Sequence, residues 1–128
     1  MDKGPRLLVW NYTLQEKEKL DLLLKEIGAP SAVTIESSQG YNTLRGIIHE
    51  NARSGREFTS DEKVVLFYNI PQKGIIFLIN RLRQTDLPRP IYAMVTEHSI
   101  EWLFSELLEH LVSERDSVEK RNDQGSRR

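Results

Sequence analysis

The chain contains no cysteine. That excludes disulfides, thiol nucleophiles and cysteine-ligated zinc or iron–sulfur centres together, and it is compatible with a reducing compartment. An excess of charge of one sign is also missing. Eighteen Lys and Arg stand against nineteen Asp and Glu, for a formal net charge of −1. A near-neutral total supplies no dominant pull toward nucleic acid or an anionic membrane. No apolar run approaches the ~20 residues that a spanning helix needs. Residues 1–5, Met-Asp-Lys-Gly-Pro, lack the apolar core of a signal peptide. Glycine-rich phosphate turns are missing as well: after the first strand-like run the chain reads Asn-Tyr-Thr-Leu, and after its counterpart Asn-Ile-Pro-Gln-Lys-Gly, where Pro71 removes an amide that a phosphate would want. From these absences we expect one compact cytoplasmic domain over residues 1–128, with no cofactor, no metal and no membrane association.

What is present is repetition. Residues 7–12 read Leu-Leu-Val-Trp-Asn-Tyr, and residues 64–69 read Val-Val-Leu-Phe-Tyr-Asn. Each run is apolar, reaches an asparagine and leads into a helix-like segment. Each helix is followed by a proline, a second β-prone run, an acidic residue and another amphipathic helix. The chain reads as two tandem copies of a β-α-β-α unit, 6–52 and 63–115, joined by a polar linker at 53–62 and ending in a charged, disordered tail at 116–128.

Within the first copy the strand Arg6–Tyr12 meets a capping box, Thr13-Leu14-Gln15-Glu16, in which hydroxyl and carboxylate satisfy each other's backbone amides. Leu20, Leu23, Leu24 and Ile27 then recur at helical spacing, and Gly28 stops the helix. Ser31–Glu36 is the second strand, Ser37–Gly40 a turn, and Tyr41, Leu44, Ile47 and Ile48 define a second helix ending near Ala52. Phe58 is the odd apolar residue of the linker and a candidate anchor to the core. In the second copy the strand Lys63–Asn69 precedes Pro71, which suits a first helical turn. Ile75, Leu78, Ile79 and Leu82 form the helix face, and Ile91–Thr96 the last strand. Ser99 is a candidate cap for a helix whose stripe is Phe104, Leu107, Leu108 and Leu111.

Alternating strands and helices predict parallel β-α-β units. Two units side by side give a four-stranded parallel sheet of order 2-1-3-4, doubly wound, with helices on both faces. The nearly continuous apolar runs 7–10 and 64–67 fit central strands covered on both sides. A rival arrangement turns the first and third strands antiparallel and puts all four helices on one face.

In the doubly wound version ligands bind at strand carboxyl ends where the order reverses. Asn11 and Asn69 then stand side by side on one rim, with Tyr12 and Tyr68 nearby and Glu97 and His98 at the end of the last strand. Two amides there could serve a ligand; equally, each asparagine could cap a helix or close a strand-to-helix turn. Glu97 beside His98 has the residue types for acid–base work, but neighbours on an extended chain point apart. Glu106, Glu109 and His110 offer at most two ligands on one helix face, too few for a metal, and His49 reads as part of a solvated face. Arg81, Arg83 and Arg89, with Lys73, make a local basic patch of the kind a solvated helix carries. No catalytic residue is assigned.

The strand Val64–Asn69, the run Thr96-Glu97-His98-Ser99, Trp102 and the segment Glu106-Leu107-Leu108 resemble a small bacterial family, domain of unknown function 3783. The likeness covers Lys63 to about Glu114; the first copy departs from it at Ser37-Ser38 and at Tyr41-Asn42. The resemblance implies a bacterial cytoplasmic protein and no activity. The expected function is a non-enzymatic binding or regulatory module with a protein or small-molecule partner at the rim, homodimerisation remaining open. The alternatives are a small enzyme using Glu97 and His98 and a weak nucleic-acid binder using the arginine patch.

Overall fold

The first helix starts where its capping box places it. In a computed structural model, which describes the backbone of residues 4–126 and the side chains of residues 4–118, Glu16 N donates to Thr13 Oγ1 at 3.1 Å and Thr13 N to Glu16 Oε1 at 2.9 Å. Helix α1 (Leu14–Glu26) follows strand β1 (Arg6–Trp10) and ends before Gly28, whose φ of 73° reverses the chain. Strand β2 (Ala32–Ile35) leads into a 3-10 turn, Ser37–Gln39, and then helix α2 (Leu44–Glu50). Thr43 caps α2 by accepting from Gly46 N at 3.0 Å, so the helix begins after Tyr41 rather than at it. Strand β3 (Val64–Tyr68), helix α3 (Gln72–Arg83), strand β4 (Ile91–Met94), a second 3-10 turn (Ser99–Glu101) and helix α4 (Phe104–Ser126) repeat this order.

Two expectations at the second half change. Ser99 does not cap α4. Its hydroxyl accepts from Thr96 N at 2.8 Å and closes the 3-10 turn, while Glu106 reaches back to Leu103 N at 3.1 Å at the start of α4. The charged stretch expected to be a disordered tail continues α4 as far as Ser126. Arg115 ties the helix to the body through two bonds to Glu62, at 2.7 and 3.0 Å. Residues 127–128 of that stretch, and residues 1–3, lie outside the described residues.

The four strands of the described residues form one sheet in the order β2-β1-β3-β4. Strands β1 and β2 are parallel, as are β3 and β4, but β1 and β3 are antiparallel, with Leu8 opposite Leu66. The sheet is mixed, and the expectation of a purely parallel one is corrected. The cause lies in the linker. Phe58 inserts against Trp10, Tyr41 and Phe104, with ring centroids 5.3, 5.5 and 6.1 Å away. It packs directly over Gly40, where an added Cβ would lie 2.2 Å from Phe58 Cβ. Phe58 N donates to Ser37 O at 2.9 Å and Ser54 N to Ser38 O at 2.7 Å. This seat delivers Lys63 to the carboxyl end of β1, where its Nζ donates to Asn11 O at 2.6 Å. Strand β3 therefore starts where β1 ends and runs back along it.

Both faces are covered. Leu8, Trp10, Ile35, Val64 and Leu66 pack with α2, Ile100 and α4; Leu7, Val9, Ala32, Val65 and Phe67 pack with α1 and α3. The rival arrangement is found in its antiparallel centre but not in its placement of all four helices on one face. Each strand residue alternates between the two cores, as pleating requires, and each fully buried large apolar side chain contributes roughly 1.5–3 kcal/mol.

Leu24 and Leu82 sit in the α1/α3 core, 1% and 7% exposed. Leu24→Ala or Leu82→Ala is expected to cost about 2–5 kcal/mol in urea denaturation; losses well under about 1 kcal/mol for both would contradict their place in that core. The Phe58 seat makes a second prediction. Gly40→Ala should destabilise by about 1–3 kcal/mol through overpacking. Adding Phe58→Gly should then cost less than Phe58→Gly does alone, because the clash with the Phe58 Cβ has gone, and a double-mutant cycle measures the difference.

Candidate functional site

The antiparallel centre separates the residues expected to share a rim. Asn11 and Tyr12 lie at one end of the sheet; Tyr68, Asn69, Glu97 and His98 follow the strand ends at the other. The single Asn11/Asn69 rim is not formed, because the carboxyl ends of β1 and β3 point in opposite directions. Both asparagines instead adopt left-handed backbone, φ 66° and 55°. Asparagine tolerates that region better than most residues. Each closes its strand-to-helix turn, and the residues that cap α1 and α3 are Thr13 and Pro71.

At the β1 end the polar groups pair with one another. Asn11 Nδ2 donates to Glu62 O at 3.2 Å. Lys63 Nζ, besides its bond to Asn11 O, lies 2.8 Å from Glu16 Oε1 and 5.3 Å from the centre of the Tyr12 ring. The Lys63 hydrogen bond, helped by the Thr13 amide, holds the Glu16 carboxyl below its usual range. Burial, then Tyr92 and Glu16, push the Tyr12 phenol far up, so it stays protonated. With its charges matched at close range, this end has the character of a structural latch.

At the β3 end a cleft of about 490 Å³ remains open. Its floor is Val95 and Ile100. One wall comes from α2, through Arg45 and His49; the strand end supplies Tyr68 and Asn69; the following loop supplies Thr96 and Glu97. His49 Nε2 lies 3.3 Å from Tyr68 Oη, the rings nearly perpendicular at 82°. His49 Nδ1 is buried and has no hydrogen-bond partner. Arg45 pairs with Glu101. Thr96 and Ser99 bond reciprocally, Ser99 N donating to Thr96 Oγ1 at 3.0 Å, which fixes Glu97 and His98 on the exposed side of the turn. Of the residues expected on the rim, Tyr68, Asn69 and Glu97 come together here. His98 is exposed nearby but does not line the cleft.

Arg45 and His49 belong to the cleft; the sequence reading did not single out Arg45 and put His49 on a solvated face. The available signal was position: His49 directly follows Ile47 and Ile48, both buried, so it sits at the edge of a buried stripe. Elsewhere, His110 Nε2 lies 2.7 Å from Glu114 and its ring stands edge-on to Trp102 at 5.4 Å. Among the described residues no group of three His, Asp or Glu is arranged to hold a metal, and no helix is long and apolar enough to cross a membrane.

Residues 63–118 match the model of a family described as a domain of unknown function, DUF3783. The match spans β3 to the packed part of α4. It contains the floor, the strand end and the loop of the cleft, but not the α2 wall. No curated protein and no solved structure matches the chain.

The Glu16–Lys63 latch makes stability depend on acid. The folded carboxyl holds its proton less tightly than the unfolded one, whose value is near 4.5. The stability it contributes is therefore complete above that value and is lost as pH falls through the lower, folded one. Urea melts from about pH 7 to pH 3 should show Glu16→Gln less stable than the parent at neutral pH, with a flatter decline in acid. An unchanged acid slope would mean that the latch does not contribute to it.

Proposed function

We propose that this chain is a non-enzymatic binding module of the bacterial cytoplasm, and that its recognition site is the cleft between α2 and the ends of β3 and β4. The observation that carries this reading is the convergence of polar groups from α2, β3 and the 95–97 loop over an apolar floor. Binding sites combine an apolar surface with a few placed polar groups. Here Arg45, His49 and Tyr68 offer donors and Glu97 a carboxylate.

The same reading holds that the two halves arose by duplication of a β-α-β-α unit. Leu44 N donates to Trp102 O at 2.9 Å and Phe104 N to Asn42 O at 3.0 Å. Exchanging each residue for the one sixty positions away turns either bond into the other. The bridge between Thr43 and Leu103 maps onto itself. This correspondence supports a pseudo-twofold axis perpendicular to the sheet.

The enzyme alternative gains no support from geometry, since only Glu97 of the Glu97/His98 pair borders the cleft. The nucleic-acid alternative rests on Arg81, Arg83, Arg89 and Lys73, which belong to α3 and the loop after it, apart from the cleft.

The test is amide chemical-shift mapping of the full chain against a small-molecule fragment library. Perturbations should cluster at Arg45, His49, Tyr68, Asn69 and Thr96, and His49→Phe should remove them with little change in the melt. Perturbations confined to Arg81, Arg83 and Arg89, or to α4, would overturn the assignment.

A further inference from the structure

The two ends of the sheet are built alike and closed differently. At the first 3-10 turn the chain's own segment 53–58 is seated as an extended guest. Arg53 pairs with Glu36 and donates to Ser38 Oγ at 2.9 Å. Ser54 N and Phe58 N donate to the Ser38 and Ser37 carbonyls. Phe58 fills the slot against Trp10, above Gly40.

Sixty residues on, the turn formed by residues 97–101 has the corresponding frame. Tyr68 stands for Trp10, Ile35 becomes Val95, and the Glu36 N to Gln39 Oε1 bond of 2.9 Å becomes the Thr96 N to Ser99 Oγ bond of 2.8 Å. After this turn, however, the chain leaves as α4, and among the described residues no later segment crosses the turn. The place taken by 53–58 at one end is the open cleft at the other. One exchange changes its depth: Gly40 corresponds to Ile100, which is buried and raises the floor under the anchor position. Thr96 takes the position of Glu36, and the next residue, Glu97, brings an exposed carboxylate to the cleft, the charge that Glu36 offers Arg53.

We propose that the cleft receives an extended polypeptide segment of a partner protein, seated over the Ser99–Glu101 turn as residues 53–58 are seated over Ser37–Gln39. The guest carries a basic residue that pairs with Glu97. About five positions later it carries an aliphatic side chain, smaller than phenylalanine, that rests on Val95 and Ile100. Backbone bonding along an extended segment supplies affinity and the two side chains supply selectivity, the division of labour common to extended-peptide recognition. The proposal rests on the cleft being the recognition site and adds what occupies it.

The chain itself supplies the probe. A synthetic peptide copying residues 52–60, Ala-Arg-Ser-Gly-Arg-Glu-Phe-Thr-Ser, is compared with a copy in which its phenylalanine is replaced by valine. Both are titrated into the full-length protein with amide shifts as the readout. The valine peptide should shift His49, Tyr68 and Thr96 and bind more tightly than the phenylalanine peptide. Glu97→Lys, an exposed change that spares the fold, should weaken binding by roughly three- to fivefold, as an exposed ion pair allows. Ile100→Gly, which restores the space that Gly40 leaves for Phe58, should reverse the order of the two peptides by up to roughly tenfold.

Shifts at Tyr41 and Phe104 instead, meaning that the peptide merely displaces the internal segment, would overturn the proposal. An unchanged affinity in Glu97→Lys would do the same. Fragments that shift the cleft where neither peptide does would sink the peptide while leaving the recognition site standing. Silence from both peptides and fragments would remove both.

Discussion

The seating of Phe58 over Gly40 is the contact on which the rest of this architecture depends. It is a small interaction: one half-buried ring, three aromatic neighbours and a glycine chosen for space, since Gly40 has ordinary helical backbone angles. Its consequence is large because of where it sits. A linker of about a dozen residues could deliver the third strand to either end of the first. With Phe58 fixed beside the carboxyl end of β1, the next strand begins there, and antiparallel pairing at the centre of the sheet follows.

Antiparallel pairing then decides what kinds of site the fold can offer. A doubly wound parallel sheet gathers all its strand ends on one side and leaves a crevice where the order reverses. Here each half keeps its own strand ends, so two half-sized ends face opposite ways. One is filled by the linker and locked by Lys63 with Glu16 and Asn11, and by Arg115 with Glu62. These partly exposed pairs are individually modest, but they cluster around the start of β3, where slippage would shift the central register. Among the described residues no linker covers the other end, and it holds the less balanced chemistry: a half-buried histidine with one nitrogen unmatched, a tyrosine hydroxyl and an exposed carboxylate.

A buried polar atom without a partner is costly, and its position is therefore informative. His49 Nδ1 lies on the one short helix that packs against the second 3-10 turn. Its ring is held from one side by the Tyr68 hydroxyl. The preorganisation belongs to the contact between the two halves: α2 comes from the first, the floor and loop from the second. The family match covers the second half without α2, so the α2 wall is the part of the cleft contributed from outside the matched region.

Much of the fold was legible because it rests on local physics. The Thr13–Glu16 box, the stop at Gly28 and the stripes of Leu20 and Leu24 or Ile75, Leu78 and Leu82 are encoded within a few residues of each other. Strand order and coverage of both faces followed from alternation and from the apolar runs at 7–10 and 64–67. Strand direction was not legible, because a strand buried on both faces has the same composition whichever way it runs. Phe58 stood out as the linker's only large apolar residue, yet its direction-setting role needs Gly40, Trp10 and Phe104, which are distant in sequence. The cleft was half legible for the same reason. Tyr68, Asn69 and Glu97 stand at strand ends, where periodicity places them. Arg45 and His49 reach the site only because α2 crosses to the other half. Sequence alone thus determined the elements, their order and their buried faces, which are set by neighbours along the chain. Tertiary structure alone decided strand direction and the membership of the cleft, which are set by which distant side chains fit into the same space.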